Sequence, residues 1–429
     1  MSQNIQEFLK TRGLSPDNYN FEADIDRFHA AMEEGLSKEH ADVDMLPTFV
    51  GVPDEIKPDC KVLVIDLGGT NLRVGWVAFD EERKAEILGV KKQKVPGTSS
   101  SVKKEAVFDL IAELSAEWVS ECEFVGFCFS FPFEILDNGD SKVLFFGKEL
   151  DVDGMVGCLL NENMRAAWSR IGVEVDAPIT ILNDTVSTLL MGKLRYPSRR
   201  VSSYIGFILG TGMNISYVEA HENITKKSNL TSGASQIINT ECGDFSGFAL
   251  SEIDEVYDKS SRNPGRYYAE KMVSGAYIGA LTQIALGMLS KQGLCKTVEA
   301  EKISTKHVND FMLDLPDANN PLSIHCGEHP EDRKTLFEVI DVILERAAKV
   351  VAILLVGTVL KNPPSNSLEA PVVFSIDGSS YGGDYFYRER IEAYLFEELT
   401  RKRDIRFQII RPENASLLGA SVAAMGSLL

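Results

Sequence analysis

"VLVIDLGGTNLRVGWVAF", residues 62–79, decides how the rest of the chain is read. An apolar, β-branched run meets Asp-Leu-Gly-Gly-Thr-Asn and leaves through a second apolar run. Glycines beside a carboxylate suit a phosphate. A P-loop needs a Lys-Ser/Thr pair after its last glycine and then a helix, and no such lysine is present. A dinucleotide fingerprint also opens a helix, whereas "LRVGWVAF" reads as strand. The stretch is therefore a hairpin with Gly68, Gly69, Thr70 and Asn71 at its tip. Glycines let backbone N–H groups close on phosphate oxygens as a nest. Thr70 and Asn71 add side-chain donors, and Asp66 can hold Mg²⁺ through water, since that ion prefers carboxylate and phosphate oxygen. A tight turn, glycine-rich for backbone reasons alone, is the competing reading of a single hairpin.

The layout recurs. "SYIGFILGTGMNISYV" (203–218) is again strand, glycine turn ending in Asn, strand, and a third strand ends in the turn Asp377-Gly378-Ser379. The repetition predicts an internal duplication: two similar lobes with a cleft between them, each offering a hairpin to a nucleotide's phosphates.

Length and composition agree. With 429 residues, two lobes are expected rather than one core. A net charge of −19 and a pI near 4.9 argue against nucleic-acid and anionic-lipid partners. The 7 cysteines never form a C-x-x-C pair, which suits a reducing compartment. "MSQNIQEFLKTRG" has no apolar core for a signal peptide, and no apolar run is long enough to span a membrane, so a cytoplasmic location is expected. "HCGEH" (325–329) invites a metal reading, but it lies in a Pro- and Asn-rich region, 316–330, expected to be loop, and structural zinc needs four ligands.

Elsewhere, helical spacing marks 19–40, 103–119, 266–290 and 333–358. Residues 45–53 form an extended connector, 91–101 a solvated loop and 124–133 a buried strand. "APITILNDTVSTLLMG" (177–192) is a strand that turns into a helix through Asn183-Asp184. The chain ends in a helix of small and apolar residues, with Asn414 as its N-cap. Mixed strands and helices give the α/β class.

These segments, in order along nearly the whole chain, resemble the hexokinase family, of the glucokinase/hexokinase type within the actin-like ATPase superfamily. The resemblance rests on "MLPTFV" (45–50), "DLGGTNLR" (66–73), "FSFP" (129–132), "NDTVST" (183–188), "GFILGTGMN" (206–214), "INTECGDF" (238–245), "NPGRYYAEKMVSGAYIG" (263–279), "ERAAKV" (345–350) and "DGSSY" (377–381). It implies a two-lobed actin-like (RNase H-like) fold with a central cleft, a small lobe of 60–182 plus 413–429, and a large lobe of 1–59 plus 183–412. It implies ATP and Mg²⁺, and transfer of the γ-phosphoryl group to the 6-hydroxyl of glucose or a related hexose, the opening step of glycolysis. Asp184 matches the general base. Ser130, Lys148, Asn183, Asn239, Glu241 and Glu270 match sugar-binding positions. Asp66, Gly68, Gly69, Thr70, Asn71, Arg73, Gly210, Thr211, Gly212 and Asn214 match phosphate and Mg²⁺ positions, and Asp377, Gly378, Ser379 and Ser416 the adenosine side.

The chemistry is coherent. A hexose presents hydroxyls around its ring, and Asn, Glu and Ser donate and accept in return. A primary hydroxyl is a poor nucleophile at neutral pH, and a carboxylate that takes its proton contributes about 10²–10⁴-fold. Four departures bear on the sugar. Gly147 stands where the family's sugar loop has Thr, Cys242 where it usually has Trp, Met213 replaces a small polar residue in the second phosphate turn, and Phe133 follows Ser-Phe-Pro where Cys is common. The changes at Gly147 and Cys242 leave a non-catalytic sugar sensor or scaffold as an alternative, and a kinase for another sugar is a further one.

Overall fold

The apolar runs settle into two separate main sheets. The computed structural model describes residues 1–69, 71–98, 100–136, 138–146, 150–196, 200–364 and 368–426. The strands of the main sheets are β1 (Leu46–Pro47), β2 (Cys60–Leu67), β3 (Asn71–Phe79), β4 (Ala85–Lys94), β5 (Phe124–Phe129), β6 (Ile179–Leu182), β7 (Ser203–Leu209), β8 (Met213–Ala220), β9 (Ser235–Asn239), β10 (Val372–Asp377) and β11 (Phe407–Ile410). The five-stranded sheet runs β4-β3-β2-β5-β6 and the six-stranded sheet β1-β9-β8-β7-β10-β11.

The duplication read from two short turns is carried through the topology. Each sheet is founded on an antiparallel hairpin, β2–β3 in one and β7–β8 in the other. Two parallel strands are added beside the first strand of each hairpin, β5 then β6, and β10 then β11. An antiparallel strand lies beside the second, β4 or β9.

Burial explains the apolar runs. Along β2, Leu63 and Ile65 enter one core and Val62 and Val64 another, because alternate side chains leave a strand on opposite faces. The first core is closed by helices Lys104–Ser115 and Leu160–Arg170, through Val107, Ile111, Met164 and Trp168. The other joins the two sheets: it takes Val186 and Leu189 from helix Asp184–Arg195, Ile237 from β9, and Leu417 and Ala420 from helix Ala415–Met425. These two helices touch closely, since a Cβ on Gly419 would lie 1.9 Å from the Ser187 carbonyl oxygen. A third core packs helices Phe21–Ser37 and Arg333–Lys361 on the six-stranded sheet.

Four local expectations change. Lys91–Lys94 end the edge strand β4 instead of a loop, and Lys91 Nζ sits 4.3 Å from the Trp118 ring centroid. Lysines are a common way to guard an exposed edge. The helical run 266–290 is two helices, Tyr268–Val273 and Ile278–Lys291, interrupted at 274–277. The Pro-rich region holds a helix, Pro321–Glu328, with Asn320 as N-cap and proline at its first position. Asn414 precedes the last helix in left-handed geometry (φ 53°), and its side chain makes no capping bond; its carbonyl instead accepts from Leu417 and Leu418 N–H. Buried His325 is committed to Asp332, with Nε2 3.0 Å from Oδ2.

Candidate active site

The site begins where β6 gives way to helix Asp184–Arg195. Asn183 caps the helix, its Oδ1 accepting from the Thr185 N–H (2.9 Å) and hydroxyl (2.7 Å). Asp184 is the first helical residue. The two neighbours face different cavities. Asp184 lines one with Asp66, Arg73, Ser130, Thr188, Ile208, Asp377, Gly378 and Ser416. Asn183 lines another with Asn239, Glu241, Leu46, Pro47 and Thr48, and with Phe131 and Pro132 of the "FSFP" segment.

In the first cavity, Asp66 is buried and held by two partners. Arg73 Nε donates to its Oδ2 at 2.8 Å, and the Ser416 hydroxyl donates at 3.0 Å. Arg73 Nη2 also donates to Ser416 Oγ at 2.6 Å, closing a triangle between the first hairpin and the last helix. Beneath lies buried Cys128, whose thiol is pushed well up, by burial first and then by the Asp66 and Asp184 charges. The hairpin tip above is closed by the Gly68 N–H donating to Asn71 O (3.1 Å). Carboxylates and hydroxyls with no soft ligand in the lining fit Mg²⁺ held mainly by water and phosphate oxygens, which needs only one or two carboxylates. No group of three or more His, Cys, Asp or Glu among the described residues is arranged to bind a metal without such help.

The glycine turn at 210–212 sits against the turn at 377–379. A Cβ on Gly210 would lie 3.4 Å from the Ser379 nitrogen, and the Ser380 hydroxyl donates to Gly210 O at 3.0 Å. Gly378, at φ 116°, donates its N–H to Asp377 Oδ1 (2.7 Å). The turn's other side is stitched to the helix break: Gly275 N–H donates to Gly210 O (2.8 Å), and Ala276 N–H (3.2 Å) and the Ser274 hydroxyl (2.8 Å) donate to Thr211 O. These bonds interrupt the long helical run.

Around the second cavity, polar side chains converge. Asn239 Nδ2 donates to Glu241 Oε1 at 2.8 Å. Asn214 Nδ2 donates to Asn239 Oδ1 (2.7 Å) and to Glu241 Oε1 (3.2 Å), while Asn214 Oδ1 accepts the Glu241 N–H (3.1 Å). The structure thus brings the Asn214 side chain, matched by resemblance to a phosphate position, into the network of the sugar set. Glu241 has left-handed geometry (φ 54°). Burial raises its carboxyl to about 7, opposed by the Asn239 bond and helped by the charges of Asp184, Asp44 and Glu270. Behind it Cys242 is buried, with a thiol pushed up to about 12 by burial. Glu270 accepts from the Met213 N–H (2.9 Å) and the Tyr277 hydroxyl (3.0 Å).

Thr70 and Lys148, with Gly147, lie outside the described residues. Ser130, matched to the sugar, lines the cavity of Asp184 and Asp66. Sequence reading passed over Thr188, which lines the same cavity four residues along the helix from Asp184; that spacing, one helical turn, was the available signal. It also passed over Tyr277, whose place depends on a contact no local pattern encodes.

Two sheets of one plan, with two cavities meeting at Asn183 and Asp184, define a two-lobed kinase fold of the actin-like type. Comparison with known proteins agrees. Two models described as hexokinase match residues 4–194 and 204–426. The chain belongs to the hexokinase family, and is an enzyme of the hexose kinase class. It is 28% identical to Hexokinase-1 of Schizosaccharomyces pombe, over 93% of this chain and 86% of that one. It is 28% identical to Hexokinase-7 of Oryza sativa subsp. japonica, over 91% of this chain and 89% of that one. The fold matches a hexokinase from Schistosoma mansoni complexed with glucose, with TM-score 0.77 and 23% identity over 99% of both chains. A ROK hexokinase from Thermus thermophilus shares the fold more distantly, with TM-score 0.52 and 15% identity over 85% of this chain and 98% of that one. No helix among the described residues is long and apolar enough to cross a membrane.

Proposed function

We propose that this chain transfers the γ-phosphoryl group of ATP to the 6-hydroxyl of glucose or a closely related hexose, giving hexose 6-phosphate and ADP. The observation that carries this reading is the adjacency of Asn183 and Asp184, one lining each cavity. A hexose held by Asn183, Asn239, Glu241, Glu270 and Lys148 presents its terminal hydroxyl to Asp184. Asp184 takes the proton as the oxygen attacks phosphorus, and ADP leaves.

Phosphoryl transfer needs positioning and charge stabilisation more than covalent chemistry. The tips at Gly68–Asn71 and Gly210–Gly212 hold the phosphates through backbone N–H groups, with Arg73 beside them. Ser130 and Ser416 add hydroxyls, and Asp377, Gly378 and Ser379 flank the nucleoside. Asn214 aligns Asn239 and Glu241. Mg²⁺, placed by Asp66 through water, supplies neutralisation of phosphate charge. The lobes, 60–182 with 413–429 and 1–59 with 183–412, close on the sugar and exclude water that would otherwise take the phosphoryl group. The setting is the opening step of glycolysis, in the cytoplasm.

A coupled assay with purified protein, Mg-ATP and a panel of glucose, mannose, fructose and glucosamine tests the proposal. Turnover with at least one hexose is expected. Sugar binding without turnover on any of them points instead to a sensor built on the same fold.

A further inference from the structure

Glu270 lies in the first turn of the helix Tyr268–Val273, ahead of the 274–277 break, and Tyr277 leads into the second helix. The Tyr277 hydroxyl donates to Glu270 Oε1 at 3.0 Å, while Oε2 accepts the Met213 N–H at 2.9 Å. The carboxylate is thus held at both oxygens, one by the break and one by the end of the second phosphate turn. The approach to the turn is close: a Cβ on Gly212 would lie 2.6 Å from Oε2, so a side chain there would displace the carboxylate. Between the two residues, Ser274, Gly275 and Ala276 bond to the carbonyls of Gly210 and Thr211. The Tyr277 ring is fixed edge-on to Tyr257, centroids 5.6 Å apart. Burial and the adjacent Glu270 charge push the phenol well above its ordinary range, so it stays protonated and donates.

A sugar-binding carboxylate and a phosphate turn share one hydrogen-bonded unit here. We infer that Tyr277 is a positioning residue that orients Glu270 so that one carboxylate both reads the sugar and braces the Gly210–Met213 turn, coupling sugar occupancy to nucleotide affinity. The inference rests on the reading of Glu270 as a sugar ligand. A hydroxyl group that bonds to Glu270 from the sugar draws on the same two oxygens, so its arrival reaches the turn through the Met213 N–H. The phenol sets which lone pairs remain for the sugar.

The test is Tyr277→Phe in the full chain, which removes one hydroxyl and keeps the ring, with thermal unfolding as a check on folding. Glucose KM is expected to rise about tenfold, as for loss of a bond to a charged group, while kcat at saturating substrates changes less than about threefold. In the unaltered protein, glucose is expected to tighten ADP binding about tenfold, within the usual range of coupling between sites. In Tyr277→Phe that gain falls below about twofold, with ADP affinity in the absence of sugar unchanged. Absence of coupling in the unaltered protein, or unchanged glucose KM and coupling in the variant, overturns the inference. Glu270→Gln separates the two layers. If Glu270→Gln leaves glucose affinity intact, the sugar assignment fails and this inference with it. If it weakens glucose while Tyr277→Phe behaves as the parent, the inference alone fails.

Discussion

The Ser416 hydroxyl donates to Asp66 Oδ2 at 3.0 Å across 350 residues of sequence. The last helix of the chain thereby meets the first hairpin, and Arg73 bonds to both partners. Asp66 is placed by this triangle before any nucleotide arrives. Ser416→Ala should lower kcat/KM for ATP about tenfold, as for loss of one bond to a charged group, and leave the glucose KM unchanged. An effect confined to the glucose KM would detach Ser416 from the nucleotide.

Glu241 sets a pH dependence. Its carboxyl titrates near 7, against an ordinary value of 4.5, because burial disfavours its charge. Between those values the folded chain holds a proton that the unfolded chain has lost, so this group's contribution to stability falls as pH rises through the window and levels off above 7. Sugar hydroxyls donate best to the carboxylate, so binding pulls the group toward ionisation and releases protons. The glucose KM should therefore fall as pH rises from about 6 to about 8, with an inflection in kcat/KM for the free enzyme. Glu241→Gln should remove that inflection. A variant that keeps it assigns the titration to another group.

Arg346 ties helix Arg333–Lys361 to the start of helix Glu252–Ser260. It is fully buried, with Nη1 donating to Ser251 Oγ and Asp254 Oδ2, both 2.7 Å, and Nη2 to Asp254 Oδ1 at 2.9 Å. Removing one partner of a buried pair strands the other charge. Asp254→Ala should cost about 3–5 kcal/mol in denaturant unfolding. A loss below about 1 kcal/mol would show that water or a rearranged neighbour satisfies the guanidinium.

Gly419 fixes how the helix bearing Ser416 meets the helix bearing Asp184. An added Cβ would lie 1.9 Å from the Ser187 carbonyl oxygen, so the helices must separate. Gly419→Ala should destabilise by about 1–3 kcal/mol and lower kcat as well, since both helices carry site residues. Parent-like kcat with reduced stability would confine the contact to a structural role.

Much of this was legible in the sequence. Both hairpins, the parallel strands β5, β6 and β10 and the Asn183-Asp184 corner announce themselves through continuous apolar runs cut by glycine or by a capping residue, whereas the short, half-buried β11 does not. The edge strand β4 was hidden because one face is solvated and its lysines resemble a loop. The 274–277 break was hidden because apolar periodicity continues across it; backbone bonds to Gly210 and Thr211 interrupt the helix, and these are tertiary. For the same reason sequence placed Asn214 at the right turn without showing that its amide meets Asn239 and Glu241. Turn chemistry is local, whereas the direction of a side chain across a cleft is set by elements far away in the chain.

The central claim is that Asp184 activates a sugar hydroxyl at the junction of the two cavities. The direct measurement is the rate of hexose phosphorylation by Asp184→Ala, alongside its glucose affinity. Loss of about 10²–10⁴-fold in kcat with glucose still bound is the predicted result. Near-parental turnover by the variant would contradict the account.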